Sequence, residues 1–152
     1  MTPPNIRELD EEEIVGLLSR HHVGRLAFTL HDRVDIQPIS YVYEEGWVYC
    51  RTSEGNKLNV LARMPWVAFE VDEVHGPVDW ESAVVYGTFY HLEPEGTETD
   101  KARFHHGVQA LRRIMPQAFE DADPVAFRDV LFGIYIHQMS GRASSSGLVP
   151  GA

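Results

Sequence analysis

The chain has 152 residues, one cysteine and a formal net charge of −10 at pH 7. This length suits a single domain, which buries an ordinary apolar core without disulfides. The acidity argues against nucleic acid or an anionic membrane surface as a partner, because both are bound through clustered cations. The single Cys50, and the lack of an apolar leader or a long apolar run, predict a cytoplasmic protein with no disulfide framework and no membrane span.

The first predicted element is a short helix from Asp10 to Arg20. Asp10 is a suitable N-cap, and the three glutamates at 11–13 would lie in the first turn, where the helix dipole favours negative charge. The apolar residues that would face the core are Ile14, Leu17 and Leu18. This acidic run is therefore interpreted as a helix start and not as a ligand site.

After the helix, the hydrophobic pattern changes to the two-residue period of β-strands. Three strands separated by short turns are predicted, which indicates an antiparallel meander: Val23–Leu30, Val34–Tyr43 and Trp47–Thr52. Pro38 lies inside the second of these strands and has no N–H to donate to a ladder. We therefore expect this strand to be an edge, or to break locally, at Pro38.

A second helix is predicted next, capped by Ser53 and ended by Pro65. Two further strands follow it, Trp66–Val74 and Trp80–Leu92. Gly87 lies inside the longer of these strands, which indicates a bulge or bend there.

The last predicted elements are a helix over Thr97–Met115 and a sixth strand over Val130–Met139. Six strands with short turns and few helices predict a mainly β fold, a six-stranded antiparallel split β-barrel with peripheral helices. The small, polar residues at 143–152 predict a disordered tail after one domain that spans residues 1–142.

The segment Tyr49–Leu58 carries the strongest sign of a ligand site. A strand ends in hydroxyl residues, passes Gly55 and enters a helix with Lys57 in its first turn, where backbone N–H groups favour an anion. Arg51, Thr52 and Ser53 would complete a phosphate cradle, although the segment lacks the Walker pattern. An ordinary capped helix with a solvated lysine explains the spacing equally well. The scarcity of lysines, with only Lys57 and Lys101 present, favours a functional role.

Other constellations predict little chemistry by side chains alone. The eight histidines and Cys50 show no metal-ligand spacing, so we expect no metal site. No serine lies in a nucleophile elbow, and Cys50 between aromatic residues is interpreted as a buried small hydrophobe, although Arg51 beside it keeps a reactive thiolate open. No catalytic residue is assigned, and a bound cofactor is the better interpretation.

The order of several motifs resembles the flavin-binding split-barrel proteins related to pyridoxamine 5'-phosphate oxidase, in the branch that includes the nitroimidazole-resistance reductases. The motifs are Val23-Gly-Arg-Leu-Ala, Gln37-Pro-Ile-Ser-Tyr-Val-Tyr, Trp47-Val-Tyr-Cys-Arg-Thr-Ser-Glu-Gly-Asn-Lys-Leu, Pro65-Trp-Val-Ala-Phe-Glu-Val-Asp and Trp80-Glu-Ser-Ala-Val-Val-Tyr-Gly-Thr. The resemblance covers about Glu11 to Arg142.

This resemblance implies a homodimer with FMN in a groove at each subunit interface. It places the flavin ring along the backbone of Pro38, Ile39 and Ser40. The residues that it places around the phosphate are Arg51, Thr52, Ser53, Asn56 and Lys57. It places Trp80 and Ser82 near the flavin or the dimer seam, while simple packing on the barrel explains Trp80 equally well.

The resemblance also implies an FMN-dependent oxidoreductase of an unidentified small molecule. A related split-barrel protein that uses a deazaflavin or haem, and a non-catalytic flavin-binding module, stay open as alternatives. Two departures bear on the function. Arg51 stands where the nitroimidazole-resistance branch often has His, and the chain ends soon after Arg142 without the segment that closes the pocket of true pyridoxamine 5'-phosphate oxidases. Oxidation of vitamin B6 is therefore not expected.

Overall fold

The structure is a computed structural model that describes residues 3–146. It contains seven strands and three helices. In chain order the elements are β1 (Asn5–Glu8), α1 (Glu11–Arg20), β2 (Val23–Leu30), β3 (Arg33–Glu44), β4 (Trp47–Thr52), α2 (Asn56–Arg63), β5 (Trp66–Gly76), β6 (Asp79–Leu92), α3 (Glu98–Leu111) and β7 (Val130–Ser145).

All strand pairings are antiparallel, and six of the strands close into a ring. The strand order is β1-β7-β4-β3-β2-β5-β6, and β6 pairs back to β7. These six strands are the six that the sequence predicts, so the mainly β barrel with peripheral helices is confirmed. The seventh strand, β1, is not predicted, because its four residues are all exposed and carry no alternating pattern.

The C-terminal part of β7 corrects the predicted disordered tail. β7 continues to Ser145, with Arg142 paired to Glu8 of β1 and Ser144 paired to Trp80 of β6. Ala143 and Ser144 are buried. Disorder from residue 143 is therefore wrong for 143–145, because residues 143 and 144 have strand partners on both sides and Ser145 pairs with Asn5, which orders them although their side chains are small. Residues 147–152 of the predicted tail lie outside the described residues.

Two of the three helix starts agree with the prediction. The Glu13 N–H donates to Oδ1 of Asp10 at 2.9 Å, in a capping box at the start of α1. Thr97 makes the same arrangement with Asp100 at the start of α3, which ends at Leu111 and not at Met115. The predicted cap of α2 is wrong: Gly55 is the N-cap, and Ser53 lies before it.

Two local irregularities shape the barrel as the sequence predicts. The β6–β7 register shifts between Tyr86 and Gly87, which confirms the bulge. A Cβ at Gly87 would lie 2.3 Å from the Tyr135 carbonyl oxygen, so the close strand approach requires glycine. The second irregularity, at Pro38, opens the groove described below.

The core fills the barrel interior and extends under two of the helices. Among its largest fully buried side chains are Tyr41, Phe69 and Phe132. The Tyr41 hydroxyl donates to the Leu18 carbonyl at 2.6 Å, which ties α1 to the barrel. A second buried cluster, which includes Tyr49 and Leu111, lies between the barrel and α3.

Among residues 3–146, no helix has the length and apolar character that crossing a membrane requires.

Candidate functional site

A groove opens where β3 and β4 separate. β3 pairs with β2 along its whole first half, including Pro38 with Arg25, but its pairing with β4 starts only at Tyr41 and Cys50. Pro38 therefore lies on an edge, as predicted. The wedge between the two strands has a volume of about 480 Å³. Its lining residues are Val23, Gln37, Pro38, Ile39, Ser40, Arg51, Thr52, Ser53, Lys57, Phe127 and Arg128.

The edge of β3 that faces this groove offers backbone groups. The Tyr41 N–H donates to the His22 carbonyl on the β2 side at 2.9 Å. Because successive amides of a strand point to opposite edges, the Ser40 N–H points away from β2, toward the groove. Pro38, two residues earlier on this edge, has no N–H that would need a partner.

Lys57 is the half-buried cation of the groove. Its Nζ donates to Oε1 of Gln37 at 3.1 Å, and within residues 3–146 no carboxylate lies within ion-pair distance of it. Burial is the largest effect on Lys57 and lowers its pKa; Cys50 and Asp35 act in the opposite direction, and the positive charge of Arg128 lowers this pKa further. A cation with a neutral partner and a second cation nearby makes this end of the groove electropositive.

The start of α2 adds backbone donors at the same end. Lys57 lies in its first turn, after the N-cap Gly55. The Leu58 N–H donates to the Gly55 carbonyl at 3.1 Å, but among the described side chains none caps this helix start, so the N–H groups before Leu58 are open to an anion. The side chain of Asn56, a predicted ligand, lies outside what the structure describes.

Arg51 lines the groove, but its guanidinium is committed elsewhere. Its Nη2 lies 2.5 Å from Oδ2 of Asp123, in an ion pair whose two side chains are 8% and 1% exposed. Its Nε donates to the Arg128 carbonyl at 2.8 Å, and its Nη2 also donates to the Val125 carbonyl at 3.3 Å. All three nitrogens of Arg51 thus have protein partners, which does not support the predicted direct contact between Arg51 and a phosphate.

Ser53 and Thr52 both line the groove, and Ser53 has a further contact. Its Oγ donates to the Phe127 carbonyl at 2.8 Å. The segment that Ser53 and Arg51 hold brings Arg128 to the groove, with its guanidinium 5.7 Å from the centre of the Phe127 ring.

Arg128 is a groove residue that the sequence analysis did not identify. It lies far from Lys57 in the chain, in a segment without a periodic hydrophobic pattern. The scarcity of cations in this acidic chain is the signal that could have pointed to Arg128.

Trp80 and Ser82 do not line this groove. They line two other surface pockets, Trp80 with Glu73 and His75, and Ser82 with Met139. Because side chains alternate along a strand, Trp80, Ser82 and Tyr86 share the outer face of β6.

Two remaining expectations concern thiol and metal chemistry. Cys50 is completely buried, which confirms the small-hydrophobe interpretation, and burial raises the pKa of its thiol. Within the described part of the chain, no three His, Cys, Asp or Glu side chains converge to hold a metal ion. His75 lies 3.3 Å from Glu73 at an exposed position.

The closed ring of six strands, with a groove where two of them separate, defines a split-barrel protein. Residues 10–143 match the family model described as pyridoxamine 5'-phosphate oxidase. This match spans most of the chain, so the protein belongs to that family, as its motifs predict.

Similar proteins of known sequence or structure cover nearly the whole chain. A crystal structure of a FAD-binding protein from Mesorhizobium loti has 28% identity and a TM-score of 0.72, and the match covers 93% of this chain and 99% of that one. A Rhizobium meliloti (strain 1021) protein, named uncharacterized protein RA0666, is 27% identical over 93% of this chain and 97% of its own length. A candidate 5-nitroimidazole antibiotic resistance protein from Bacteroides thetaiotaomicron shares the fold, with 18% identity and a TM-score of 0.70, over 94% of this chain and 90% of that one.

Proposed function

We propose that this protein is an FMN-binding oxidoreductase that acts on a small molecule. The observation that carries the proposal is the electropositive end of the groove, where Lys57, Arg128 and the uncapped start of α2 meet. Phosphate is the anion that such a combination of cations and backbone N–H groups binds well.

The end of the groove that we assign to the phosphate, here called the phosphate end, is lined by polar residues. Lys57 and Arg128 would neutralise the charge, and Thr52 and Ser53 would add hydroxyl contacts. The Lys57 Nζ needs little rearrangement, because its present partner is the neutral amide of Gln37. An incoming phosphate therefore competes with no internal carboxylate for Lys57.

The part of the groove that we assign to the flavin ring, here called the ring end, is lined by apolar residues. Val23, Pro38 and Ile39 offer a surface for a planar ring, and the Ser40 N–H points to the same groove. A bound flavin would supply the transfer of hydride or single electrons to or from a substrate. The chain's own contribution is to bind the ring at the β3 edge, to orient it and to exclude water from one of its faces.

A second copy of the chain would cover a neighbouring apolar face. Val34, Ile36, Trp66 and Tyr86 are between 44% and 76% exposed on the outer faces of β3, β5 and β6. Ala27 and Ala68 line the same surface depression as Val34, Trp66 and Tyr86, and contiguous exposed apolar surface is typical of protein–protein contacts. Val34 and Ile36 share their strand face with Pro38, so the surface runs directly into the groove. We propose a homodimer in which each flavin lies at the subunit seam.

The outer face of β6 fits the same arrangement. Trp80 and Ser82 lie on the strand face that carries Tyr86. This position supports a role for Trp80 and Ser82 at the seam between subunits, and not in the groove of their own subunit.

The Mesorhizobium loti relative supports a flavin as the ligand, because that protein is described as FAD-binding. FAD contains the ring, the ribityl chain and the one phosphate of FMN. A groove that holds this shared portion is consistent with the similarity to a FAD-binding protein and with the cations and apolar residues that line the groove.

The test is a spectroscopic titration of the purified protein. We expect FMN to bind with quenched fluorescence, to raise the melting temperature and to bind more tightly than riboflavin, which lacks the phosphate. Equal affinity for FMN and riboflavin would refute the phosphate end, and no binding of either flavin would refute the proposal. The absorbance of protein from its native host distinguishes a flavin from a deazaflavin or haem.

Catalysis has its own test. We expect the FMN-loaded protein to oxidise NADH or NADPH when a quinone or a nitroaromatic compound is present as acceptor. Tight FMN binding without turnover of any such pair would identify a non-catalytic flavin module instead.

A further inference from the structure

The segment between α3 and β7 is anchored on one buried carboxylate. The Asp123 oxygens accept the Phe119 N–H at 2.8 Å and the Val125 N–H at 3.0 Å, in addition to the guanidinium of Arg51. Arg51 also lies under the ring of Phe119, with its Cζ 4.4 Å from the ring centre. One side chain of β4 thus holds a segment that lies some seventy residues later in the chain.

Three hydrogen bonds hold the end of this segment next to the groove. Arg51 Nε donates to the carbonyl of Arg128 at 2.8 Å, and Ser53 Oγ donates to that of Phe127 at 2.8 Å. The Arg128 N–H donates to the Val125 carbonyl at 2.8 Å. The backbone on both sides of the Arg128 Cα is therefore fixed, while its guanidinium stays exposed at the electropositive end.

We propose that the buried Arg51–Asp123 ion pair is a positioning device for Arg128, and that Arg128 binds the phosphate of the ligand directly. This inference rests on the proposed function. It assigns Arg51 an indirect role, because its own nitrogens are held by Asp123, Val125 and Arg128.

The charges support this division of roles. Arg51 and Asp123 neutralise each other away from solvent, so the positive charge available to a ligand comes from Lys57 and Arg128. A long exposed arginine loses rotamer entropy when it holds a ligand. Fixing the backbone that carries it reduces the freedom that binding must remove, which is the advantage of preorganisation.

The test compares FMN with riboflavin in four variants. Arg128→Gln is expected to lower FMN affinity about tenfold, the effect of one lost charge-assisted hydrogen bond, and to leave riboflavin affinity unchanged. Asp123→Asn, which keeps the shape but removes the charge, is expected to do the same. The double variant is expected to lose no more than either single variant, because both changes remove the same contact. Arg113→Gln changes an exposed arginine that donates to the Tyr43 carbonyl, and is the matched control.

The outcomes separate the possible failures. Full FMN preference in Arg128→Gln overturns the inference, as does an additive loss in the double variant. If Asp123→Asn does not fold, Arg51→Lys replaces it, with folding checked by circular dichroism and the FMN-to-riboflavin affinity ratio as the readout. A protein that binds neither flavin refutes the proposed function itself, whereas one that prefers FMN through Lys57 alone refutes only the role of Arg128.

Discussion

Replacing Lys57 with methionine separates ligand binding from stability. The change keeps most of the apolar stem and removes the charge that we assign to the phosphate. A hydrogen bond to a charged group contributes about 1.5–3 kcal/mol, so FMN affinity should fall about 10- to 100-fold. Because Lys57 is half-buried beside the neutral Gln37, no carboxylate loses its partner in the variant. The free energy of unfolding should therefore change by less than about 1 kcal/mol.

The assay is a fluorescence titration of FMN and riboflavin at several salt concentrations, combined with urea unfolding of the ligand-free protein. We expect Lys57→Met to weaken FMN binding, to leave riboflavin binding unchanged and to reduce the salt dependence of FMN affinity. Lys101→Met is the control, because Lys101 is an exposed lysine of α3 that pairs with Glu98 at 3.6 Å. An unchanged FMN affinity in Lys57→Met, or an equal loss for riboflavin, would refute the reasoning.

Three further predictions concern the barrel and its outer face. Gly87→Ala should lower the free energy of unfolding by about 1–3 kcal/mol, because the new Cβ would lie 2.3 Å from a carbonyl oxygen of β7; unchanged urea unfolding would contradict the close approach. Burial and the hydrogen bond with Asp72 raise the pKa of Glu70 to about 7. Between about pH 4.5 and pH 7 the native state therefore still holds a proton that the unfolded chain has released, so the stability of the wild type should fall as the pH rises through this range. Glu70→Gln should therefore gain about 1–2 kcal/mol relative to wild type between pH 5 and pH 8, and parallel pH profiles would contradict this. Trp66→Glu should convert a dimer into a monomer in analytical ultracentrifugation, whereas a monomeric wild type would refute the proposed homodimer.

The local features of this fold could be read from the sequence because their causes are local. The Asp10 cap with its glutamates and the missing N–H of Pro38 each act on residues close to them in the chain. Gly87 marks the bulge in the sequence of its own strand, although the close approach that requires glycine there comes from Tyr135. The proline at position 38 indicated that its strand lies on a sheet edge at this point, and the groove opens at that edge. Lys57 was found because lysines are rare and this one follows a strand end.

The rest depended on contacts between distant parts of the chain. β1 and residues 143–145 form strands because they pair with each other, and residues 143 and 144 pair with β6 as well. Neither segment shows this in its own pattern. The sequence pattern predicted Arg51 as a phosphate ligand because nothing near it in the chain showed that its guanidinium is paired. Its partner Asp123 is 72 residues away. Arg128 was missed for the same reason, since the contacts that bring it to the groove come from β4 and the segment after it.

The most direct test of the account is to map the FMN site by NMR. Backbone amide spectra of the isotope-labelled protein, titrated with FMN and separately with riboflavin, locate the ligand on the chain. We predict that FMN shifts the amides of Ser40, of residues 52–57 and of Arg128, and that riboflavin reproduces the shift at Ser40 but not those at the phosphate end. Shifts confined to another surface, such as the aromatic pocket of Trp47 and Tyr90, would contradict the assignment of the groove.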